Sequence, residues 1–217
     1  MLKEVSSRLK EYNIFHKIEN GFLVTRKTRV KIPPISSKVS YLTGVLTGDG
    51  NLTMVKRMKG GFHYTVKITS NSTDYLNYLN TRFRELFSIK GEIGKDNRKM
   101  NTFFLIFRNV CIFWYFVTVG LCIGRKINPS IPHKIRTNRK FLITYLSGLV
   151  DTDGHINRNR IQLKQKSKSF LEEIKQALKL FKLSPTEVKV NYTKSMPYYY
   201  IRFDNRLFCY KVATVAQ

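Results

Sequence analysis

Carboxylates are scarce in this chain of 217 residues, which has 14 Asp and Glu against 39 Lys and Arg. The formal net charge is +25 at pH 7, and a chain that repels itself so strongly is typical of proteins that bind a polyanion. Nucleic acid is the leading partner, and an anionic membrane surface is the weaker alternative. Glycine and proline are also few, at 12 and 6, and 42% of the residues are hydrophobic, which excludes a disordered or collagen-like chain.

Long apolar runs and cysteine pairs are absent as well. The run Val110–Val119 is too short to span a bilayer and the N-terminus lacks an apolar secretory core. We therefore expect an intracellular protein without a membrane partner, in a prokaryotic cytoplasm or an organelle matrix. Cys111, Cys122 and Cys209 have apolar neighbours and no C-x-x-C spacing, which predicts reduced thiols in the core. The four histidines form no H-x-x-x-H pair, which argues against a zinc site.

The chain contains an internal repeat. The segment SYLTGVLTGDGNLT at 40–53 aligns without a gap with TYLSGLVDTDGHIN at 144–157, at an offset of 104 residues. Two later blocks recur in the same order: Thr69 aligns with Lys164 at an offset of 95, and Phe104 aligns with Tyr200 at 96. The drop in offset predicts a longer first hairpin in the first copy, with its turn at Lys59-Gly60-Gly61.

Each copy is predicted to fold in the order αββαββα, which gives an α+β protein of two pseudo-symmetric halves with antiparallel sheets. A first helix ends at Gly50 or Gly154, because glycine is favoured just past a helix C-terminus. A second helix is expected over 73–87 and 168–183. The predicted divisions are a basic extension at 1–37, a first half at 38–123, a cationic linker at 124–139 and a second half at 140–217. The role of the extension stays open, but its segment GFLVTRKTRVKIP predicts a hairpin.

One predicted strand of each half alternates between apolar and polar residues. Ile161 and Leu163 face one side of the second-half strand, and Val66 and Ile68 face one side of its counterpart. The opposite faces are cationic, so each sheet should have one dry side and one side that binds nucleic acid. The residues assigned to DNA contacts are Arg158, Arg160, Gln162, Lys164, Lys67, His63, Lys189 and Asn191, and Lys166 ends the same cationic face.

Small residues recur four apart on the two first helices. They are Gly44 and Gly48 in the first copy and Gly148 and Thr152 in the second. Such a stripe lets two helix backbones approach closely and pack side by side. This packing would bring Asp49 and Asp153 to the same end, where the helix dipoles disfavour two carboxylates unless a divalent cation lies between them. We therefore expect a metal site.

These segments resemble the signature of the LAGLIDADG homing endonucleases, in the single-chain form with two motif copies. The resemblance spans residue 38 to the C-terminus and implies that the antiparallel sheets form a saddle over the DNA major groove. It implies further that Asp49 and Asp153, at the next-to-last motif position, are the catalytic metal-binding acids. Gly48 and Thr152, which precede the acids, complete the predicted metal site. The two copies differ at the sixth position of the motif, which is Asp151 in the second copy but Thr47 in the first.

The activity implied by the resemblance is site-specific double-strand cleavage of DNA by a monomer, with one motif aspartate for each strand of a long target. Mg²⁺ is the expected cofactor, with Mn²⁺ as a substitute. Lys166 fits the basic residue that stabilises charge in this family, and Gln165 beside it is a water or phosphate partner. The aligned residues of the first copy are Ser70 and Asn71, so the cation is missing there.

Two other functions stay open at this point. An RNA-binding intron maturase of the same fold would take intron RNA as its partner, and a repressor-like module would bind DNA without cutting it. A calcium loop starting at Asp151 is excluded, because an EF-hand needs Gly at its sixth position and Glu at its twelfth. Here these positions are Ile156 and Gln162.

Overall fold

The computed structural model describes residues 1–58, 60–97, 101–193 and 196–215, without the side chains of Thr193, Met196 and Val215. Lys59 of the predicted turn lies outside the described residues. The helices are α1 Leu2–Glu11, α2 Ser37–Gly48, α3 Thr73–Phe87, α4 Val110–Val119, α5 His133–Arg136, α6 Arg139–Asp153, α7 Lys168–Leu180 and α8 Asn205–Val215. The strands are β1 His16–Glu19, β2 Phe22–Thr25, β3 Arg29–Lys31, β4 Gly50–Lys56, β5 Phe62–Ser70, β6 Glu92–Lys95, β7 Phe103–Phe107, β8 Gly154–Asn157, β9 Arg160–Gln165, β10 Lys189–Thr193 and β11 Met196–Asp204.

The repeat is visible in the strand pairing. Two antiparallel sheets have the same topology, in the orders β4-β5-β7-β6 and β8-β9-β11-β10. Gly50 pairs with Ile68 in the first sheet, and Gly154 pairs with Leu163 in the second. These pairs are related by the sequence offsets 104 and 95, so the two sheets share one register. The predicted α+β class and the order αββαββα are confirmed.

The packing divides the chain differently from the sequence repeat. One compact unit consists of residues 1–35 and 49–125, and the other consists of 36–48 and 126–217. Helix α2 belongs to the first repeat by sequence, but it packs in the second unit against α6. Most of the predicted linker also belongs to the second unit, where Ile131 and Ile135 are buried.

The N-terminal extension is an integral part of the first unit. Its predicted hairpin forms β2 and β3, and β1 completes a three-stranded antiparallel sheet with the order β1-β2-β3. Leu23 of β2 and Val30 of β3 are buried, and α1 buries Val5 and Leu9. The α1 helix contacts α4, a helix that is apolar all round and therefore buried.

The ends of the motif helices differ in detail from the sequence prediction. Helix α2 ends at Gly48 and α6 ends at Asp153, whereas Gly50 and Gly154 are the first residues of β4 and β8. Gly154 has an ordinary extended backbone, so no left-handed conformation requires glycine there. A Cβ at Gly154 would lie 2.4 Å from the carbonyl oxygen of Val150, and this close approach is what requires glycine.

The prediction of three core thiols was wrong for two of them. Cys111 is buried within α4, and burial raises the pKa of its thiol to about 12. Cys122 is exposed because it lies in the loop that follows α4, and Cys209 is exposed on the outer side of α8. Within the described ranges, none of the helices is long and apolar enough to cross a membrane.

Candidate active site

Helices α2 and α6 meet backbone to backbone. A Cβ on Gly44 would lie 2.0 Å from the carbonyl oxygen of Tyr145, and a Cβ on Gly148 would lie 2.1 Å from that of Tyr41. The two contacts are equivalent under the repeat, since each partner is shifted by the same 104 residues. Any larger residue at either glycine would force the two backbones apart.

The C-terminal end of this helix pair carries Asp153. A Cβ on Gly48 would lie 2.0 Å from Thr152 Oγ1 and 3.0 Å from Asp153 Oδ2, so the carboxylate lies directly beside the last residue of α2. The Thr152 hydroxyl donates to the carbonyl of Leu149 at 3.0 Å, within its own helix. The side chain that this end presents for chemistry is therefore Asp153.

The Asp153 carboxylate is half-buried and has a well-placed donor. Gln165 Nε2 donates a hydrogen bond of 2.6 Å to Asp153 Oδ2. Burial raises the pKa of Asp153, while the hydrogen bond from Gln165 and the charge of Lys126 lower it, and burial has the larger effect. A bound cation stabilises a carboxylate in such a setting, because a nearby positive charge favours the charged form.

Lys126 is a site residue that sequence reasoning missed. Its Nζ donates to the carbonyl oxygens of Thr47 and Gly48, at 2.7 and 2.6 Å. These carbonyls end α2, where the helix has no internal donors and the dipole favours a cation. No sequence signal distinguishes it, because Arg125 and Lys126 are adjacent cations in the linker and only the packing decides which one reaches α2.

An open cavity of about 580 Å³ joins these groups. It is lined by Thr47, Gly48, Lys126, Pro129, Asp153, Lys164, Gln165, Lys166, Ser167 and Tyr198. Gln165 ends β9, and Lys166 follows it as an exposed residue on the cavity rim. Lys164 Nζ lies 5.5 Å from the ring centroid of Tyr198 on the neighbouring strand β11, in a cation–π contact. The cavity thus combines one carboxylate with three ammonium groups, a set that suits a metal ion and a phosphate.

The first repeat presents a different set of groups. Asp49 lies in the turn between α2 and β4, and its carbonyl oxygen accepts a hydrogen bond of 3.2 Å from Thr69 N. Ser70 pairs with Phe103 as Gln165 pairs with Tyr199, so Ser70 and the exposed Asn71 are the structural counterparts of Gln165 and Lys166. The predicted convergence of Asp49 with Asp153 stays a prediction.

Lys67 has partners within its own unit. Its Nζ lies 3.4 Å from Oδ2 of the buried Asp96 and 4.5 Å from the ring centroid of Phe104. The ion pair holds the lysine on the sheet and offsets much of its charge. The assignment of Lys67 to DNA binding stays a prediction, and so does that of His63, which is exposed and accepts a hydrogen bond of 3.2 Å from Arg57.

The sixth motif position differs between the copies for a structural reason. Thr47 is only 5% exposed, and its hydroxyl donates to the carbonyl of Thr43 within α2. Asp151 reaches solvent, where Tyr41 donates a hydrogen bond of 2.7 Å to its Oδ2. Desolvation raises the pKa of Asp151 and the Tyr41 hydrogen bond lowers it. A carboxylate at position 47 would be buried, which explains the threonine.

The cationic strand of the second half has the alternation that its sequence predicts. Ile161 and Leu163 are buried while Arg160 and Lys164 are exposed. Arg202 on β11, which the sequence analysis did not single out, pairs across the sheet with Gln162 and donates 3.1 Å to its Oε1. A cavity of about 470 Å³ is lined by Asn157, Arg158, Asn159, Arg160, Gln162 and Arg202. Lys189 and Asn191 are exposed on the edge strand β10.

The sequence of the second half matches a known domain. Residues 140–211 match the profile described as LAGLIDADG-like domain. The second repeat is therefore similar to a LAGLIDADG-like domain. No curated protein sequence matches the chain.

Solved structures extend the LAGLIDADG similarity to most of the chain. The structure of I-DmoI in complex with DNA and Mn is 20% identical, with a TM-score of 0.63 over 85% of this chain and 98% of that chain. The mesophilic variants of the homing endonuclease I-DmoI are also 20% identical, with a TM-score of 0.66 over 82% and 90%. The homing endonuclease I-WcaI bound to its DNA recognition sequence is 15% identical, with a TM-score of 0.53 over 83% and 82%. The chain has the two-domain LAGLIDADG fold, and the resemblance predicted from its sequence is confirmed.

Proposed function

We propose that this protein is a site-specific endonuclease that cuts double-stranded DNA by metal-dependent phosphodiester hydrolysis, with one motif aspartate for each strand. The observation that carries the proposal is the half-buried Asp153 carboxylate in an open cavity with Lys164 and Lys166 on its rim. A metal ion satisfies such a carboxylate, and ammonium groups at the rim attract a phosphate.

The groups around Asp153 fit a hard divalent metal ion. Magnesium binds oxygen ligands, keeps several waters and needs only one or two protein carboxylates together with substrate phosphate. The Asp153 carboxylate is such a ligand, whereas the Gly48 carbonyl oxygen already accepts a hydrogen bond from Lys126. Among the residues that the structure describes, no cluster of three or more His, Cys, Asp or Glu offers the closed ligand set typical of structural zinc. The I-DmoI structures with target DNA include complexes with Mn, Ca and Mg, which supports Mg²⁺ here, with Mn²⁺ as a substitute.

The chemistry of a bound metal ion would be to polarise the scissile phosphate and to lower the pKa of a water molecule. The residues of the chain supply the remaining parts. Gln165 fixes the orientation of the Asp153 carboxylate, and Lys166 stabilises the negative charge that develops on the phosphate. Lys126 holds the C-terminal carbonyls of α2 in place beside Asp153.

Binding of the duplex is assigned to the cationic strand faces. Arg160 and Lys164 project from one side of β9 and Arg202 projects from β11, so their charges can follow a DNA backbone. In the comparison structures, I-DmoI is in complex with its target DNA and I-WcaI is bound to its DNA recognition sequence. The presence of both motif copies in one chain supports action as a monomer.

Cleavage of a library of long DNA duplexes in the presence of Mg²⁺ tests the proposal. We expect discrete fragments from the wild type and no double-strand cutting by Asp49→Asn or Asp153→Asn. Each variant should keep its affinity for the selected duplex within about tenfold, because removing one charge from a large interface changes binding little.

Three other results would each overturn the proposal. Tight binding to a structured RNA with no DNA fragments would assign the protein as a maturase. Specific duplex binding without cutting, unaffected by both aspartate variants, would assign it as a DNA-binding module. Loss of DNA binding in both variants, with cleavage of prebound DNA unchanged, would remove the aspartates from the chemistry.

A further inference from the structure

The N-terminal extension and the first repeat together form a cavity in which His63 alone is also assigned to duplex binding. Its volume is about 460 Å³, which lies within the range of small-molecule sites. The lining residues that matter for its chemistry are Phe15, Arg26, Lys27, Arg57, Phe62 and Arg108. All of these residues belong to the first compact unit. We call this cavity the extension cavity.

Hydrogen bonds fix one wall of the extension cavity. The turn between β2 and β3 is closed by a hydrogen bond of 2.8 Å from Thr25 N to the carbonyl of Thr28. Asn109 caps α4 through its Oδ1, and its Nδ2 donates 3.1 Å to Thr28 Oγ1. The side chain that starts α4 thus also fixes the turn of the extension, which holds Arg26 and Lys27 against the first repeat.

The charge around the extension cavity is strongly positive. Arg26, Lys27 and Arg57 form no ion pair with any carboxylate in the described part of the chain. Among the described residues, Arg108 is the only cation of the cavity lining that forms an ion pair with a carboxylate, and its partner is Glu92. Three uncompensated cations around one opening favour a ligand with more than one negative charge.

The cavity also presents an exposed aromatic ring. Phe15 is 73% exposed, although burial of a phenylalanine side chain is favourable. Phe62 lies deeper and is held by Tyr12, with ring centroids 6.1 Å apart and the rings edge to face. A planar apolar ring beside uncompensated cations has the chemistry that binds an unpaired nucleotide, because the base stacks on the ring while the phosphates meet the cations. Paired bases in a duplex do not offer their faces for such stacking.

We propose that the extension cavity binds an unpaired nucleotide of a single nucleic-acid strand, with the base on Phe15 and the flanking phosphates at Arg26, Lys27 and Arg57. This site lies outside both motif helices and does not depend on the proposed cleavage of duplex DNA. It gives the extension a role of its own, which is to hold a strand that is not base-paired.

Fluorescence anisotropy with the full-length protein tests this site. The probes are 15-nucleotide single strands of oligothymidylate and of oligouridylate, and a DNA duplex of the same length. Phe15→Ala should weaken binding of the preferred single strand about tenfold, and Phe15→Trp should restore it. The double variant Arg26→Ala, Lys27→Ala should reduce the salt dependence of single-strand binding by about 1.4 in the log–log slope, since each lost phosphate contact removes about 0.7. Lys31→Ala, at an exposed cation of β3 outside the cavity, is the matched control and should change neither value.

Photocrosslinking with 5-iodouridine-labelled single strands locates the bound base. We expect the crosslink on Phe15 or Phe62, and the stronger of the DNA and RNA arms identifies the natural strand. Equal single-strand binding by Phe15→Ala and the wild type would overturn the proposal. A loss shared equally by single strands and duplex would also overturn it, because it would make the cavity a flanking duplex contact. Neither result would bear on the aspartate variants, so the two proposals fail separately.

Discussion

Gln165 Nε2 lies 2.6 Å from Asp153 Oδ2 and joins the end of strand β9 to the end of helix α6. The hydrogen bond lowers the pKa of a carboxylate that burial raises. It therefore links the position of the second sheet to the ionisation of the motif acid.

Replacement of Gln165 by Leu should raise the pKa of Asp153 further, because the donor that stabilises the carboxylate is lost. A carboxylate must be ionised to hold a metal ion, so the acid limb of the pH–rate profile should move to higher pH. The ¹³C carboxyl shift of Asp153, titrated in metal-free protein, measures the change directly. Gln162→Leu, on the same strand but bonded to Arg202, is the control. Identical midpoints in the wild type and Gln165→Leu would contradict the assignment of Gln165.

Lys126→Met should destabilise the second unit, because the last carbonyls of α2 lose a charged donor. The expected decrease in the free energy of unfolding is about 1.5–3 kcal/mol, as for other hydrogen bonds to charged groups. The pKa of Asp153 should rise as well, since the charge of Lys126 lowers it. Urea denaturation and the same carboxyl titration measure the two effects. Lys126→Arg keeps the charge and should recover most of the pKa effect; if Lys126→Met leaves both quantities unchanged, the contact with α2 has no role.

Gly148→Ala should disrupt the packing of α6 on α2, because the new Cβ would meet the carbonyl oxygen of Tyr41 at 2.1 Å. Backbone cannot move aside as a flexible side chain can, so we expect the free energy of unfolding to fall by at least about 3 kcal/mol. Thermal denaturation measures the loss. Ser147→Ala, one residue earlier on the same helix, should change stability by less than about 0.5 kcal/mol. A wild-type melting temperature for Gly148→Ala would show that the helices are further apart in solution.

Lys166→Ala should slow the cutting of one DNA strand about 100-fold, the effect of removing one charge-stabilising donor. The first half has Asn71 at the equivalent place, so the wild type should accumulate a nicked intermediate. Asn71→Lys should reduce that accumulation. Duplexes labelled separately on each strand give the two rates, and Lys168→Ala, at an exposed lysine two residues along, is the control. Equal slowing of both strands by Lys166→Ala would contradict the asymmetry.

Arg160→Ala and Arg202→Ala should each reduce the salt dependence of duplex binding by about 0.9 in the log–log slope, if each arginine contacts one phosphate. Both side chains line the same cavity on the second sheet. Filter binding at several salt concentrations gives the slope. Lys179→Ala, an exposed cation in the last turn of α7, should leave the slope unchanged. Slopes equal to the wild type in both arginine variants would remove this face from the DNA interface.

The elements of the fold followed from local patterns in the sequence. The repeat predicted two equivalent sheets, and the strand registers agree with its offsets at Gly50–Ile68 and Gly154–Leu163. Helix α3 begins and ends where its periodicity predicts, because Ser72 caps its first turn and Ser88 ends it in a left-handed conformation. The glycine stripe of α2 and α6 was visible because close backbone approach leaves room only for small residues.

The parts that the sequence could not supply depend on long-range packing. Lys126 reaches α2 across 78 and 79 positions of the chain, and no local pattern marks that contact. Arg202 becomes part of the cationic face only through the pairing of β11 with β9. The extension cavity is likewise invisible in the sequence, since Phe15, Arg57 and Asn109 lie far apart along the chain.

The placement of α2 has a consequence for any attempt to separate the repeats. A chain divided in the linker, near residue 125, would leave α2 on the first fragment while its partner α6 remained on the second. Each fragment would then expose an apolar helix that no longer has a matching surface, so neither should remain soluble when it is produced alone. Co-production should restore a soluble complex through the exchange of this one helix, and a two-component enzyme built in this way would be assembled only when both pieces are present.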